Sequence, residues 1–279
     1  MASILALVSS ILWGSADYLA GNLTKRYKAI AVTGVSQSFG LLVGVVLVLI
    51  SGSYIAPNLS WNGYLLPAIG AGVAGFLGLV SFYSGLSTGR MGVVSPISTL
   101  SAVIPLTYAF LSGERPTQIQ VAGMAVAIFG AFCASGPDIV NGLPKKPLLY
   151  GLGAAIGFGI ALTLMAQGSK TSSLLTMTSM RVTSVSFCIL LALRFRTFGG
   201  FKILDLRILV IIGVTDFFAN LLLGVATTKG LVSIAMVFGS LFPIVTALLA
   251  FKFLHERLHR VQYAGILFAV TGVSLISIG

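Results

Sequence analysis

From Ala2 to Gly21 the chain is apolar or small-polar, with Asp17 its one charge, and runs of this kind recur to the end of the sequence. A helix that spans a bilayer needs about 20 predominantly apolar residues. Ten stretches reach or approach that length: Ala2–Gly21, Ala29–Ser51, Gly63–Leu86, Gly92–Ser112, Gln118–Ser135, Leu148–Gly168, Ser173–Leu193, Leu206–Thr228, Leu231–Phe253 and Val261–Ser277. Membrane β-strands would read as alternating runs of about 10 residues, half the length seen here. The connections are short and leave no room for a soluble domain. The pattern predicts an all-α membrane protein of ten transmembrane helices.

Composition narrows the class further. Of 279 residues, 57% are hydrophobic and 8% charged, and the mean hydropathy is +1.04. An average soluble domain carries about 25% charged residues, so an ordinary soluble enzyme, a disordered chain and a nucleic-acid binder are all excluded. No basic stretch precedes the first apolar run, so that run is expected to stay as a helix and not to be removed as a signal peptide. Cys133 and Cys188 lie in apolar runs, and two cysteines build no disulfide framework.

The net charge of +11 is distributed unevenly. Of the 17 Lys and Arg, thirteen fall after odd-numbered segments. Arg115, Lys170 and Lys229 fall after even ones, and Arg181 lies inside the seventh. Short loops rich in Lys and Arg stay in the cytoplasm. This rule puts the odd loops inside and both termini outside.

The chain also repeats itself. Glu114-Arg115, Gln120, Ala122-Gly123 and Gly130 return as Glu256-Arg257, Gln262, Ala264-Gly265 and Gly272, each 142 residues on. Val94-Ser95 and Pro105 return as Val232-Ser233 and Pro243 at an offset of 138. The difference of four residues is about one helical turn, so the fourth segment meets its Glu-Arg corner a turn sooner than the ninth. Five helices per half is an odd number, so two directly joined halves lie in opposite orientations. The expected division is 1–135 for the first repeat, 136–147 for a connecting loop and 148–279 for the second repeat. Inverted repeats of this kind build many secondary transporters.

Four stretches carry a family resemblance. They are Leu12-Trp13-Gly14-Ser15, Gly92-Val93-Val94-Ser95-Pro96, Gly113-Glu114-Arg115 and His255-Glu256-Arg257. With them the two halves resemble two EamA-type domains of the drug/metabolite transporter superfamily. The resemblance implies a permease for small polar or charged metabolites or drugs, and a central cavity lined by helices 1, 3, 4, 6, 8 and 9. It also implies cytoplasmic termini, against the charge count. A chain that already holds both halves is expected to work as a monomer, as an integral protein of the cell membrane.

Ionisable groups deep in a bilayer are expensive and face the bundle interior. Asp216, near the middle of the eighth segment, is the leading substrate or coupling residue, with Asn220 one turn on. Asp17 lies one turn after Trp13, either at the cavity mouth or paired with Lys25 or Arg26. Arg181 is the obvious partner of Asp216 by depth, and the repeat sets it opposite Gln37. Tyr83, Ser95 and Phe217 are further site candidates, with Tyr18, Phe82, Thr99 and Phe238 behind them. Pro96, Pro105 and Pro243 break backbone hydrogen bonds, and matched breaks near the midplane point to a transport site. Gly153 and Gly157, and Gly70, Gly72, Gly75 and Gly78, suit close helix packing. Glu114 and Glu256 are expected to brace their corners with Arg115 and Arg257.

His255-Glu256-Arg257-Leu258-His259 fits the H-E-x-x-H zinc signature. Here its Glu belongs to the repeated corner, and both His of the chain are already used. No G-x-x-x-x-G-K-[ST] loop is present, so no nucleotide drives the chain directly. Neither a metal nor a cofactor is expected. The predicted partners are a small-molecule substrate, the lipid bilayer and a coupling proton. An uncoupled facilitator or channel is the alternative, followed by an intramembrane zinc hydrolase on His255 and His259.

Overall fold

The computed structural model describes residues 1–88, 91–136, 144–195, 199–253 and 259–279. Among these residues the structure is helical, with no strand. The elements are α1 (Ala2–Leu23), α2 (Ala29–Ser51), α3 (Leu65–Leu86), α4 (Met91–Thr99), a 3₁₀ turn (Leu100–Ala102), α5 (Val103–Leu111) and α6 (Gln118–Ala134). They continue with α7 (Lys145–Phe195), α8 (Ile203–Thr228), α9 (Val232–Gly239), α10 (Phe242–Phe253) and α11 (Arg260–Ile278).

Eight of the described stretches are long and apolar enough to cross a membrane, and α6, with 17 residues, is a shorter apolar helix. One of the eight, Lys145–Arg194, runs for 50 residues. At 1.5 Å per residue that is about 75 Å, more than twice the thickness of the hydrocarbon core. The run breaks at Ser172, whose backbone is extended (φ −163°, ψ 114°). The Ser172 hydroxyl then accepts the Leu175 amide at 3.3 Å and starts the second half. The sixth and seventh predicted segments run together in α7, and the fourth and ninth are each divided, as α4–α5 and α9–α10. The turn between segments six and seven, predicted over 169–172, shrinks to the single break at Ser172. Helix α7 starts at Lys145, inside the loop expected over 136–147, and the rest of that loop from Pro137 to Leu143 lies outside the described residues.

The repeated Gln has a local role. In α6 the Thr117 hydroxyl accepts the Gln120 amide at 3.2 Å, and the Gln120 side chain accepts the Thr117 amide at 3.0 Å. In α11 the Gln262 side chain likewise accepts the His259 amide, at 2.9 Å. The reciprocal pair in α6 satisfies two of the four amides that a helix start leaves unpaired.

The repeated glycines meet each other. Helices α6 and α11 pack so that a Cβ on Gly123 would lie 2.9 Å from the Gly272 carbonyl, and one on Gly265 would lie 2.7 Å from the Gly130 carbonyl. A residue larger than Gly therefore separates the two helices. Gly157 approaches Gly78 across the α3–α7 contact in the same way. Lipid gives helices little hydrophobic reason to associate, so close backbone approach carries the packing. Gly265→Leu is expected to lower the melting temperature in detergent, because overpacking costs about 1–3 kcal/mol or more. A variant that melts like the native protein would contradict this account of the α6–α11 contact.

Candidate functional site

Helices α1 and α8 lie along one another, and the Ser9 hydroxyl donates to the Ala219 carbonyl at 2.7 Å between them. Residues four apart on a helix share a face. Trp13 and Asp17 of α1 therefore look the same way, as do Asp216 and Asn220 of α8. The Trp13 indole donates to Asp216 Oδ1 at 3.0 Å. Asn220 Nδ2 donates to the same oxygen at 3.2 Å and to the Asp216 carbonyl at 2.8 Å. Arg181, in the second half of α7, reaches the other oxygen with Nη2 at 2.6 Å. Both side chains of that ion pair are mostly withdrawn from solvent, at 6% and 14% exposure.

Asp17 is held far more loosely. It is buried, yet among the described residues its one hydrogen bond comes from the Tyr83 hydroxyl of α3 at 3.3 Å. It does not pair with Lys25 or Arg26. Arg26 instead binds Asp205 at 2.9 Å. The reason lies in helix phase: Asp17 faces the bundle interior with Ala16 and Ala20, which are also buried, whereas Lys25 and Arg26 stand exposed beyond the end of the helix.

Asp17, Asp216, Arg181, Trp13 and Asn220 line one cavity. Gln37 of α2 and Ser101 of the 3₁₀ turn complete its polar lining. The opposite wall is apolar, built from Gly72, Gly75, Phe76 and Leu79 of α3 with Phe158 and Met165 of α7. The space open to the centre of a water molecule is about 70 Å³. That exceeds the roughly 10–15 Å³ that one water needs, so the space admits water or a small polar group. Two polar atoms at the cavity have no partner among the described residues. They are Gln37 Oε1, an acceptor, and Arg181 Nε, a donor. Buried polar groups are normally satisfied, so each exception calls for a partner.

The bent spans close the cavity at matching places. Pro105 and Pro243 lack amide hydrogens and leave the carbonyls of Ser101 and Gly239 without their helical donors. The 3₁₀ turn at Leu100–Ala102 and the break between Gly239 and Phe242 both lie just before these prolines. The first break brings Ser101 to the cavity, and α10 supplies Phe242, whose ring meets Trp13 edge-on at 6.2 Å.

Other predicted residues lie elsewhere. Phe217 is fully buried and packs on Phe218, with Gly44 close against its ring. Phe238 is fully buried in the core, and Phe82 packs behind the cavity on Phe158 and Phe242. Ser95 is half-buried on α4, its carbonyl accepting from Ser98, and the Thr99 hydroxyl donates to the Pro96 carbonyl. Tyr18 faces Phe253 at 6.2 Å. Gln37 is a cavity residue outside the candidates named from the sequence. Its signal was the repeat, which sets it opposite Arg181.

The Glu-Arg corner differs from expectation. Arg115 donates to the carbonyls of Phe110 and Glu114 at 3.1 and 3.0 Å and so braces the corner through its backbone. The Glu114 carboxylate turns away to the start of α9, where it accepts the amides of Val232 at 2.6 Å and Ser233 at 3.0 Å. A helix start carries partial positive charge and unpaired amides, which suit a carboxylate. The bond joins the first repeat to the second. Glu256, Arg257 and His255 lie outside the described residues.

Helices long and apolar enough to cross a membrane, two of the spans bent, around a cavity lined by both charged and apolar side chains, define a multi-pass membrane protein. The profile of the EamA-like transporter family matches residues 1–136 and again 145–278, and the chain belongs to that family. Its members are transporters of small solutes, and the double match gives the chain two repeats. A solved crystal structure, 17% identical, is similar over 99% of this chain and 96% of its own length with a TM-score of 0.80. At that identity the likeness speaks for the fold alone. No curated protein sequence matches the chain significantly.

Proposed function

We propose that the protein is a secondary transporter that moves a small solute through the central cavity by alternating access, with the two repeats as the elements that rock. One observation carries this reading. Two carboxylates and one guanidinium face the same cavity, and Arg181 pairs with Asp216 and not with Asp17. With all three ionised, one negative charge stands uncompensated inside the membrane, an arrangement that is costly. A proton or a cationic group of the solute relieves it. A site that accepts either, open to one side at a time, couples their movements.

In this reading Asp17 is the exchangeable carboxylate, and Asp216 is the frame that fixes Arg181, Trp13 and Asn220. The solute has a hydrogen-bond donor or cationic group for Asp17 and Gln37 Oε1, an acceptor for Arg181 Nε, and an apolar part for the α3 wall. The matched breaks in the α4–α5 and α9–α10 spans are the hinges, because a span without its full hydrogen-bond ladder bends at low cost. The chain acts as a monomer in the cell membrane, with its basic loops in the cytoplasm.

Purified protein in liposomes tests the reading. Amines, amino acids, sugars and nucleotides are offered in turn, with an imposed pH gradient and with the same solute preloaded. Saturable uptake, accelerated by preloaded solute and by the gradient, is expected for one class. Flux that neither saturates nor shows counterflow would replace the carrier by a channel.

A further inference from the structure

A second, larger cavity opens on the flank of the bundle, away from the central site. It lies between the first turns of α2 and the last turns of α7 and has a volume of about 440 Å³, within the usual range of ligand pockets. Its walls are apolar: Ile30, Ala31 and Val35 from α2, with Ile189, Leu191 and Ala192 from α7. Ile30 and Ile189 are exposed on the outside of the bundle, where the acyl chains of the bilayer run. The floor closes where Gly34 approaches Cys188, since a Cβ on Gly34 would lie 2.9 Å from that of Cys188.

The mouth is basic. Arg26 and Lys28 line it, and Lys25 and Lys202 stand exposed nearby on the same loops. The acid in their midst, Asp205, is already committed. It binds Arg26 at 2.9 Å and accepts the Tyr27 hydroxyl at 2.7 Å. That bond holds the Tyr27 phenol above its ordinary pKa, so Tyr27 adds no negative charge. The Arg26 side chain stays 54% exposed despite the pair. The mouth also belongs to the end of the bundle where the charge count gathers thirteen of the 17 Lys and Arg, the end that faces anionic lipid in a cytoplasmic leaflet.

We propose that this flank cavity binds an anionic phospholipid, its phosphate against Arg26 and Lys28 and one acyl chain along Ile30, Val35, Ile189 and Ala192. The charge surplus at the mouth selects an anionic headgroup over a zwitterionic one. The apolar walls open to the bilayer select a lipid over a soluble phosphate. The site is independent of what passes through the central cavity, and its test requires no transport.

The full-length protein in detergent is titrated with phosphatidylglycerol and with phosphatidylcholine of the same chain length, and bound lipid is counted by native mass spectrometry. Phosphatidylglycerol is expected to bind in preference. Lys28→Gln keeps the Arg26–Asp205 pair and is expected to weaken phosphatidylglycerol about 5-fold, the value of one cation near a membrane surface, while leaving phosphatidylcholine unchanged. Ala192→Phe fills the cavity without touching a charge and is expected to remove the preference. Equal binding of the two lipids, or native preference in both variants, would overturn the proposal. So would displacement of the lipid by millimolar glycerol 3-phosphate, which would assign the mouth to a soluble phosphate.

Discussion

Asp17→Asn protein is expected to stay folded, to melt close to the native temperature and to lose uptake driven by a pH gradient. Asn has nearly the shape of Asp and still offers an oxygen to the Tyr83 hydroxyl, which lies 3.3 Å from the carboxylate. What it lacks is the charge that a proton or a cationic solute compensates. A hydrogen bond to a charged group is worth about 1.5–3 kcal/mol, so affinity for a cationic solute should fall roughly 10- to 150-fold. Exchange of solute across the membrane without a gradient survives only to the extent that this weaker binding allows. The two effects are read separately, by gradient-driven uptake in liposomes and by the ligand-induced rise in melting temperature. Native gradient-driven uptake in this variant would remove Asp17 from the coupling role.

Arg181→Ala acts on the stability of the fold. It strands Asp216 in the bundle with only neutral donors, Trp13 and Asn220. Removing one partner of a buried ion pair costs about 3–5 kcal/mol, mostly because the other charge is left unpaired. At about 2–4 °C per kcal/mol for a chain of this size, the melting temperature should fall by roughly 6–20 °C. The double variant Arg181→Met with Asp216→Asn removes both charges and keeps an oxygen for the Trp13 indole. It is expected to regain most of the lost stability and to stay inactive, because the cavity has then lost Arg181 Nε. If the single variant melts like the native protein, the pair contributes nothing to the fold. If the double variant transports normally, Arg181 does not touch the solute.

The segments, the repeat and the family were legible because each rests on period and length, which a membrane enforces strictly. The pairing of Arg181 with Asp216 was legible too, since two opposite charges at the same depth have few other partners. The relative standing of the two carboxylates was not. Sequence depth put Asp216 first, but three side-chain donors surround it, whereas Asp17 has one. That difference depends on how α1 and α3 are rotated about their axes, which no periodicity in a nearly uniform apolar helix reveals. Gln37 was hidden for a related reason. Its helix lies at the periphery of the family's cavity, and only the α2–α8 crossing, where a Cβ on Gly213 would overlap the Ser36 carbonyl, brings α2 far enough in. The Glu114 carboxylate was misassigned because its partners, the amides of Val232 and Ser233, are 118 and 119 residues away and carry no side-chain signal.

In the proposed mechanism a solute or a proton neutralises the charge left over at Asp17. The direct measurement is proton release on ligand binding. Native and Asp17→Asn protein, in weakly buffered detergent solution with a pH-indicator dye, are each mixed with the cationic solute that most raises the melting temperature. Release of up to one proton per protein from the native form, rising as the solution is made more acidic, and none from Asp17→Asn, is the predicted result. Tight binding to both forms with no proton released from either would contradict it and leave the cavity charge without a part in transport.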